Sequence, residues 1–178
     1  MSAFALRVLT GLDPTSADTP PRPYTNREVV LRLTAALAVI CALIHVGAAV
    51  DHYGEFPLYT AVFAGLATAQ VTWAALLVWR PKPHWLALGC VLQIGIVALW
   101  LLSRTTGVPI APKAWTPEEL GIADVVETVC ELVTVVAALS VLLASRWPVA
   151  RRLMSVLPAF LLTALLVGAL LGTGAHAG

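Results

Sequence analysis

Five stretches of mostly apolar residues dominate the chain, and short polar or turn-forming breaks separate them. A transmembrane helix needs about 20 consecutive, mainly apolar residues to cross the hydrocarbon core of a bilayer. Each stretch has about that length, so the pattern predicts an all-α bundle of five membrane-spanning helices. The predicted helices cover residues 27–50, 57–79, 84–103, 122–144 and 150–172.

The composition is typical of an integral membrane protein. Of the 178 residues, 59% are hydrophobic and only 12% are charged, and the mean hydropathy is +0.86. A soluble domain is much less apolar, so the lipid bilayer is the expected partner. The net charge of +1 and the lack of a basic run give no indication of nucleic acid binding.

The first 26 residues differ from the rest of the chain. Pro, Ser, Thr and Asp are frequent there and apolar periodicity is absent, so residues 1–26 are predicted to be a disordered tail. The apolar run near the start is too short for a signal peptide, and Arg7 interrupts it. Thr25 and Glu28 have the spacing of a capping box, which predicts that the first helix begins there.

The basic residues predict the orientation, because cytoplasmic loops of membrane proteins carry an excess of Lys and Arg. Nine of the 11 basic residues lie before or at the start of helix 1, between helices 2 and 3, or between helices 4 and 5. Only Arg104 and Lys113 fall on the other side. We therefore expect a cytoplasmic N-terminus and an external C-terminus in a plasma membrane.

Helix 4 carries three carboxylates in its first half: Asp124, Glu127 and Glu131. Their spacing places them within about 60° of one helix face. Each carboxylate deep in a bilayer costs about 2.5 to 3.5 kcal/mol on insertion scales. That face must therefore meet protein, water or a cation.

Helix 1 ends with two histidines on one face, His45 and His52, and Cys41 precedes them by one turn. The end of helix 1 and the start of helix 4 meet the same acidic surface, so the histidines and the carboxylates lie at matching depths. The sequence predicts an outward-opening polar pocket between helices 1 and 4. Polar residues expected to support this pocket are Cys41, Asp51, Gln70, Gln93 and Arg104.

The main interpretation is that the pocket binds, and in one version moves, a metal ion or another cation. Imidazole nitrogens and carboxylate oxygens are good ligands for zinc, copper, manganese and iron. Clustered carboxylates also favour a bound cation over mutual repulsion. The proposed ligands are His45, His52, Asp124, Glu127 and Glu131.

Two other interpretations stay open. Clustered carboxylates beside a histidine can form a proton relay in a transporter or a redox complex. Alternatively, the buried charges only hold the helices together in an accessory or scaffold protein. Gln70 and Gln93 lie near the middle of helices 2 and 3 and need hydrogen-bond partners in either case.

Enzyme signatures are missing from the sequence: it has no P-loop, no G-x-G-x-x-G, no H-E-x-x-H and no G-x-S-x-G. His45 is the only deep histidine, which disfavours a haem with two axial histidines. Cys41, Cys90 and Cys130 all lie in apolar stretches without a C-x-x-C pair, so buried thiols are expected. We therefore expect a non-enzymatic protein.

The break between helices 3 and 4, residues 104–121, is the longest in the predicted membrane region and is a candidate lid. Thr116, Pro117 and Glu119 predict a short surface helix within it. Arg104 either pairs with the carboxylates at the outer end of the pocket, which we call the acidic mouth, or extends to the membrane interface.

Helix 5 carries small residues at four-residue spacing, which lets helices approach closely. This spacing suggests a homodimer, or packing within the chain or in a larger membrane complex. The residues are Ala164, Gly168 and Gly172.

Several motifs together resemble a group of small, uncharacterised multi-pass bacterial membrane proteins. They are H-x6-H at the end of helix 1, the run HYGEFPLYTAVFAGLATAQVTWA, LWLLSRTTGVPIAP, and GIADVVETVCE with its D-x2-E-x3-E pattern. The resemblance covers about residues 28–145 and implies the same topology, in a bacterial inner membrane. It implies that the polar residues form one system, and it supplies no reaction. These residues are His45, His52, Gln70, Arg104, Asp124, Glu127 and Glu131.

Overall fold

The protein is all-helical in a computed structural model that describes residues 24–110 and 114–174, apart from most side chains after Thr163. Most of the predicted tail, residues 1–23, lies outside the described residues. Each helix bound lies within two residues of the predicted bound. The helices are α1 (Asn26–Asp51), α2 (Pro57–Trp79), α3 (Pro83–Thr105), α4 (Ile122–Leu143) and α5 (Pro148–Gly174).

The helix starts follow local sequence chemistry. The Thr25 hydroxyl accepts a hydrogen bond from the Glu28 backbone N–H, and the Glu28 carboxylate accepts one from the Thr25 N–H, so the predicted capping box forms. Proline occupies the first turn of both α2 and α3, where the lack of an N–H costs no helical hydrogen bond. At the start of α4, the Asp124 carboxylate accepts from the Gly121 N–H.

Four of the helices, α1 to α4, are long and apolar enough to cross a membrane. Large apolar side chains on their outer faces are exposed, as at Leu43, Val71 and Val91, which is the pattern of a lipid-facing surface. The chain is therefore a helical membrane protein. The fifth crossing stays a prediction, since α5 carries Arg151, Arg152 and Pro158 in its first half.

Helix α1 is the centre of the bundle and packs against α2, α4 and α5. Helix α4 contacts α1, α3 and α5, so the two helices that the proposed pocket requires are direct neighbours. One end of the bundle is filled by a tight apolar core. Its most deeply buried large side chains include Leu37, Leu77 and Leu86.

Helices α2 and α3 meet closely only near the turn that joins them. The indole ring of Trp73 on α2 lies directly against Gly89 on α3, and its N–H donates to the Trp85 carbonyl oxygen at 3.0 Å. Gln70 and Gln93 form the next contact along the pair. Contact between α2 and α3 is the sparsest of any contacting helix pair, so the helices diverge beyond this point.

The loop between α3 and α4 differs from the prediction. Residues 114–121 contain no helix, so the predicted surface helix at Thr116 is wrong for these residues. The backbone folds back on α3 instead: the Glu118 N–H donates to the Ser103 carbonyl oxygen at 3.0 Å. Gly107, at φ 75°, lies directly against the Thr116 backbone, a conformation and a close approach that only glycine allows.

We expect Gly89→Ala to destabilise the bundle by about 1 to 3 kcal/mol, the usual cost of overpacking a core. The added methyl group would overlap the Trp73 indole ring and displace its hydrogen bond to Trp85. Gly95→Ala, in the same helix but with open space around it, is the matched control. Unfolding experiments in detergent measure the free energy of unfolding of both variants. Equal stability of the two would contradict the close approach of α2 and α3 at Gly89.

Candidate functional site

Three ionisable side chains from α1 and α4 form a buried cluster. His45 Nδ1 lies 2.8 Å from Glu127 Oε1, and His45 Nε2 lies 3.6 Å from Glu131 Oε1. The side chains of His45, Glu127 and Glu131 are 3%, 12% and 1% exposed. Each imidazole nitrogen therefore faces a different carboxylate, in a position where water has little access.

A layer of polar side chains supports Glu131 from the other helices. The Gln70 amide donates to Glu131 Oε1 and to Gln93 Oε1, each at 3.2 Å. The Gln93 amide donates to the Thr134 hydroxyl at 3.1 Å, and that hydroxyl donates to the Glu131 carbonyl oxygen. This layer joins α2, α3 and α4 and fixes the position of the Glu131 carboxylate.

The cluster still has unused hydrogen-bonding capacity. Among the described residues, neither nitrogen of His45 has a hydrogen bond of good geometry, because the 2.8 Å contact with Glu127 is poorly directed and the 3.6 Å contact with Glu131 is too long. Gln70 Oε1 is buried without a hydrogen-bond partner as well, and Glu127 Oε1 has only its contact with His45 Nδ1 among the described residues. An unsatisfied buried polar group costs about 1 to 3 kcal/mol, so this arrangement favours an additional ligand or ion.

The three residues can present one ligand atom each to a metal ion. The three atoms lie within 4.8 Å of one another. Zinc is bound by His and carboxylate ligands at about 2.0 to 2.2 Å, so modest side-chain movements would complete a three-ligand site. The nitrogen and oxygen donors also suit manganese, iron and oxidised copper.

Two other predicted ligands, His52 and Asp124, lie nearer the surface and have partners of their own. His52 Nδ1 is 3.1 Å from Glu55 Oε2, and the His52 ring stacks on Phe63 with ring centroids 5.6 Å apart. Asp124 Oδ2 accepts from Arg104 at 2.7 Å. Both side chains line the same cavity as the cluster but do not belong to its ligand group.

Arg104 connects α3 and α4 at the end of the bundle that carries the α3–α4 loop, which we call the upper end. Its guanidinium donates to Glu118 in the loop at 3.0 Å and to Asp124 on α4 at 2.7 Å. The Tyr59 hydroxyl on α2 donates to the same Glu118 at 3.3 Å. Of the two interpretations of Arg104 from the sequence, pairing with the acidic mouth is the one observed.

Cys41 and Asp51 do not join the cluster. Cys41 is fully buried in the apolar core together with Cys130, and its sulfur is not one of the grouped ligand atoms. Asp51 is exposed at the end of α1.

The sequence patterns did not predict Tyr59, Phe63 and Thr134 as part of the site, although the four-residue spacing of the two aromatic residues on α2 was a usable signal.

A cavity of about 150 Å³ leads from the loop side down to the cluster. The prediction placed the pocket between helices 1 and 4, but α2 and α3 supply most of its walls. The divergence of α2 and α3 above the Gln70–Gln93 contact provides the space. The apolar wall residues on these two helices are Leu58, Val62, Phe63, Leu66, Ile96 and Leu99.

The polar layer closes the cavity at its lower end. Below Gln93 and Thr134, the described side chains of the bundle interior belong to the apolar core, including Leu37, Trp73 and Leu86. The buried hydroxyls in this part, Thr34 and Ser140, donate to backbone carbonyl oxygens of their own helices. The cavity therefore occupies the half of the bundle nearer the α3–α4 loop and ends near the middle of the bundle.

Comparison with known proteins gave no match. No protein-family model, no curated protein and no solved structure matches the chain. The resemblance to small bacterial membrane proteins therefore stays an expectation. Function has to be inferred from the geometry of the cavity and its cluster.

We expect Gln70→Leu to lower the free energy of unfolding by about 1 to 3 kcal/mol, because Gln93 Oε1 and Glu131 Oε1 lose their donor in a buried position. Thr72→Val, on the same helix, removes an exposed hydroxyl that bonds only to the Thr68 carbonyl oxygen and should change stability by less than about 0.5 kcal/mol. Unfolding in mild detergent compares the two. A Gln70→Leu variant as stable as wild type would contradict the supporting role of the polar layer.

Proposed function

We propose that this membrane protein binds a cation at the floor of its cavity, and that a divalent metal ion fits the ligand set. The observation that carries the proposal is the buried cluster of His45, Glu127 and Glu131, whose ligand atoms lie within 4.8 Å of one another. Three protein ligands that face a cavity also leave a coordination position open for water or another ligand. Zinc, copper, manganese and iron are the candidate ions.

The charge around the cavity supports a positively charged ligand. Four carboxylates line the cavity, those of Glu118, Asp124, Glu127 and Glu131. The basic groups that line it are Arg104 and the two histidines, His45 and His52. Arg104 lies between Glu118 and Asp124, so it does not neutralise the two deeper carboxylates. With both glutamates ionised and His45 protonated, the formal charges of the cluster sum to −1, which a bound cation would balance.

Binding is better supported than movement across the membrane. The apolar core below Gln93 and Thr134 contains no ionisable side chain other than buried thiols among the described residues that form it. The described side chains offer a cation at the cluster no polar path onward, and an unpaired charge in such a core is strongly disfavoured. We therefore propose a binding site that is reached from one side only.

Proton transfer is the second candidate function. The observation that favours it is the position of His45 between two carboxylates, since each ring nitrogen faces one of them. Such an imidazole can accept a proton on one nitrogen and release the proton that its other nitrogen carries. This function would use the same three residues without a metal ion.

We further propose the topology that the basic residues predict. Five crossings, with a cytoplasmic N-terminus and an external C-terminus, would place the loop end of the cavity on the outer side of a bacterial inner membrane. The small residues Ala164, Gly168 and Gly172 on α5 are proposed to support a homodimer or a larger membrane complex.

The metal proposal predicts that protein purified in mild detergent binds at least one of zinc, copper, manganese or iron and melts at a higher temperature when that ion is added. Glu131→Gln and His45→Ala should each weaken binding by at least about tenfold, since each removes a ligand. Metal analysis by mass spectrometry and thermal shifts measure the two effects. Glu119→Gln removes an exposed carboxylate at the same end of the bundle and should change neither.

Three outcomes would separate the functions. Absence of bound metal, with no thermal shift from any of the four ions, would eliminate the metal site. A proton flux in liposomes that Glu131→Gln abolishes, without metal binding, would support proton transfer instead. A large loss of folded protein from Glu131→Gln, without a metal or proton effect, would support a purely structural role.

The topology predicts which positions an impermeant thiol reagent reaches in intact cells. The native cysteines are buried, so background labelling should be low. Glu119→Cys, in the α3–α4 loop, should be labelled directly, whereas Arg146→Cys, exposed between α4 and α5, should react only after permeabilisation. A C-terminal epitope accessible from outside would support the fifth crossing, and the reverse pattern would contradict the proposed orientation.

A further inference from the structure

The cavity is larger and more apolar than a metal ion requires. The ionisable cluster occupies only its floor, while Leu58, Val62 and Leu66 on α2 and Ile96 and Leu99 on α3 form its walls. A metal ion with its water would leave these apolar surfaces in contact with solvent, which is unfavourable. The walls therefore indicate a ligand that has an apolar part as well as a charge.

Exposed wall residues indicate that the cavity reaches the surface of the bundle between α2 and α3. The α3–α4 loop covers its upper end, where Val108 and Ile110 line it and Glu118 is held by Tyr59 and Arg104. Leu58 on α2 and Leu99 on α3 both line the cavity and are 41% and 42% exposed. Because these two helices diverge and their outer faces are apolar, the gap between them faces the lipid.

Aromatic rings provide a further contact for a positive charge. Phe63 lies in the cavity wall between the two histidines, with ring centroids 5.8 Å from His45 and 5.6 Å from His52. Tyr59 packs edge-on against His52. The face of a Phe or Tyr ring attracts an organic cation that lies within about 6 Å.

We propose that the cavity takes an amphipathic organic cation, a protonated or quaternary amine with a compact apolar body, which enters from the bilayer between α2 and α3. The inference rests on the proposed cation site. The ammonium group would lie at Glu127 and Glu131 beside the Phe63 ring, and the apolar body would fill the space between Val62 and Leu99. A metal ion and the amine would then compete for the same two carboxylates.

An uncharged or anionic ligand fits the cavity less well. An uncharged ligand would leave the excess negative charge of Glu127 and Glu131 without a counterion in an apolar setting. An anion would meet the carboxylates of Glu127 and Glu131 at the floor, and the two terminal nitrogens of the Arg104 guanidinium already pair with Glu118 and Asp124. The carboxylates at the floor thus favour a ligand with a positive charge, and the walls favour a ligand with an apolar part.

Calorimetric titration of the purified full-length protein with benzyltrimethylammonium tests the proposal. Neopentylbenzene has the same shape without the charge and should bind at least tenfold more weakly. Glu127→Gln should weaken benzyltrimethylammonium binding by at least tenfold, and zinc or manganese, whichever the protein binds, should compete with the amine.

A variant that fills part of the cavity distinguishes binding of the organic cation from binding of the metal ion. Val62→Trp places an indole in the cavity wall and should abolish binding of the amine while metal binding at the floor persists, which also shows that the variant is folded. Val71→Trp is the matched control, since Val71 lies on the same helix, is exposed and does not line the cavity. This control should bind both ligands as wild type does.

The outcomes distinguish this inference from the proposed function. Metal binding without any binding of benzyltrimethylammonium would overturn the organic ligand and leave the cation site standing. Equal binding of the uncharged analogue, or unchanged amine binding by Val62→Trp, would overturn it as well. Binding of neither cation would overturn both proposals, and binding of the amine alone would support an organic cation as the ligand of the site.

Discussion

The contact of His45 on α1 with Glu127 and Glu131 on α4 is the interaction on which the arrangement of this bundle depends. Three ionisable groups cannot face lipid at this depth without a large penalty, so these two helices have to present them to each other. The contact explains why α1 and α4 are direct neighbours. It also requires polar partners from elsewhere, and Gln70 and Gln93 on α2 and α3 supply amide groups at the same level.

This polar layer divides the bundle into two parts with different properties. Below it, Trp73 packs against Gly89 and the interior is a closed apolar core. Above it, α2 and α3 diverge, and the space between them becomes a cavity that ends at the charged cluster. A cavity closed at one end suits a binding site, and its apolar walls with a negative floor suit a positively charged ligand.

The upper end is held by a second set of charges. Arg104 joins α3 to α4 and to the loop, and Tyr59 extends the connection to α2 through Glu118. These contacts keep the loop over the cavity without a helix of its own. They also remove Asp124 from the deep cluster, because its carboxylate is already shared between Arg104 and the start of α4.

The sequence by itself determined the membrane class, the positions of the helices and the shared face of the helix 4 carboxylates, because apolar length and helical periodicity are local properties. It also indicated His45 as their partner, since helices 1 and 4 reach the same surface. Only the tertiary structure decided which polar residues meet: Glu127 and Glu131 join His45, whereas His52 turns to Glu55 and Asp124 to Arg104. The loop around Thr116 and the cavity between α2 and α3 also followed from packing between distant segments. Such contacts depend on helix rotation and divergence, which local sequence patterns do not encode.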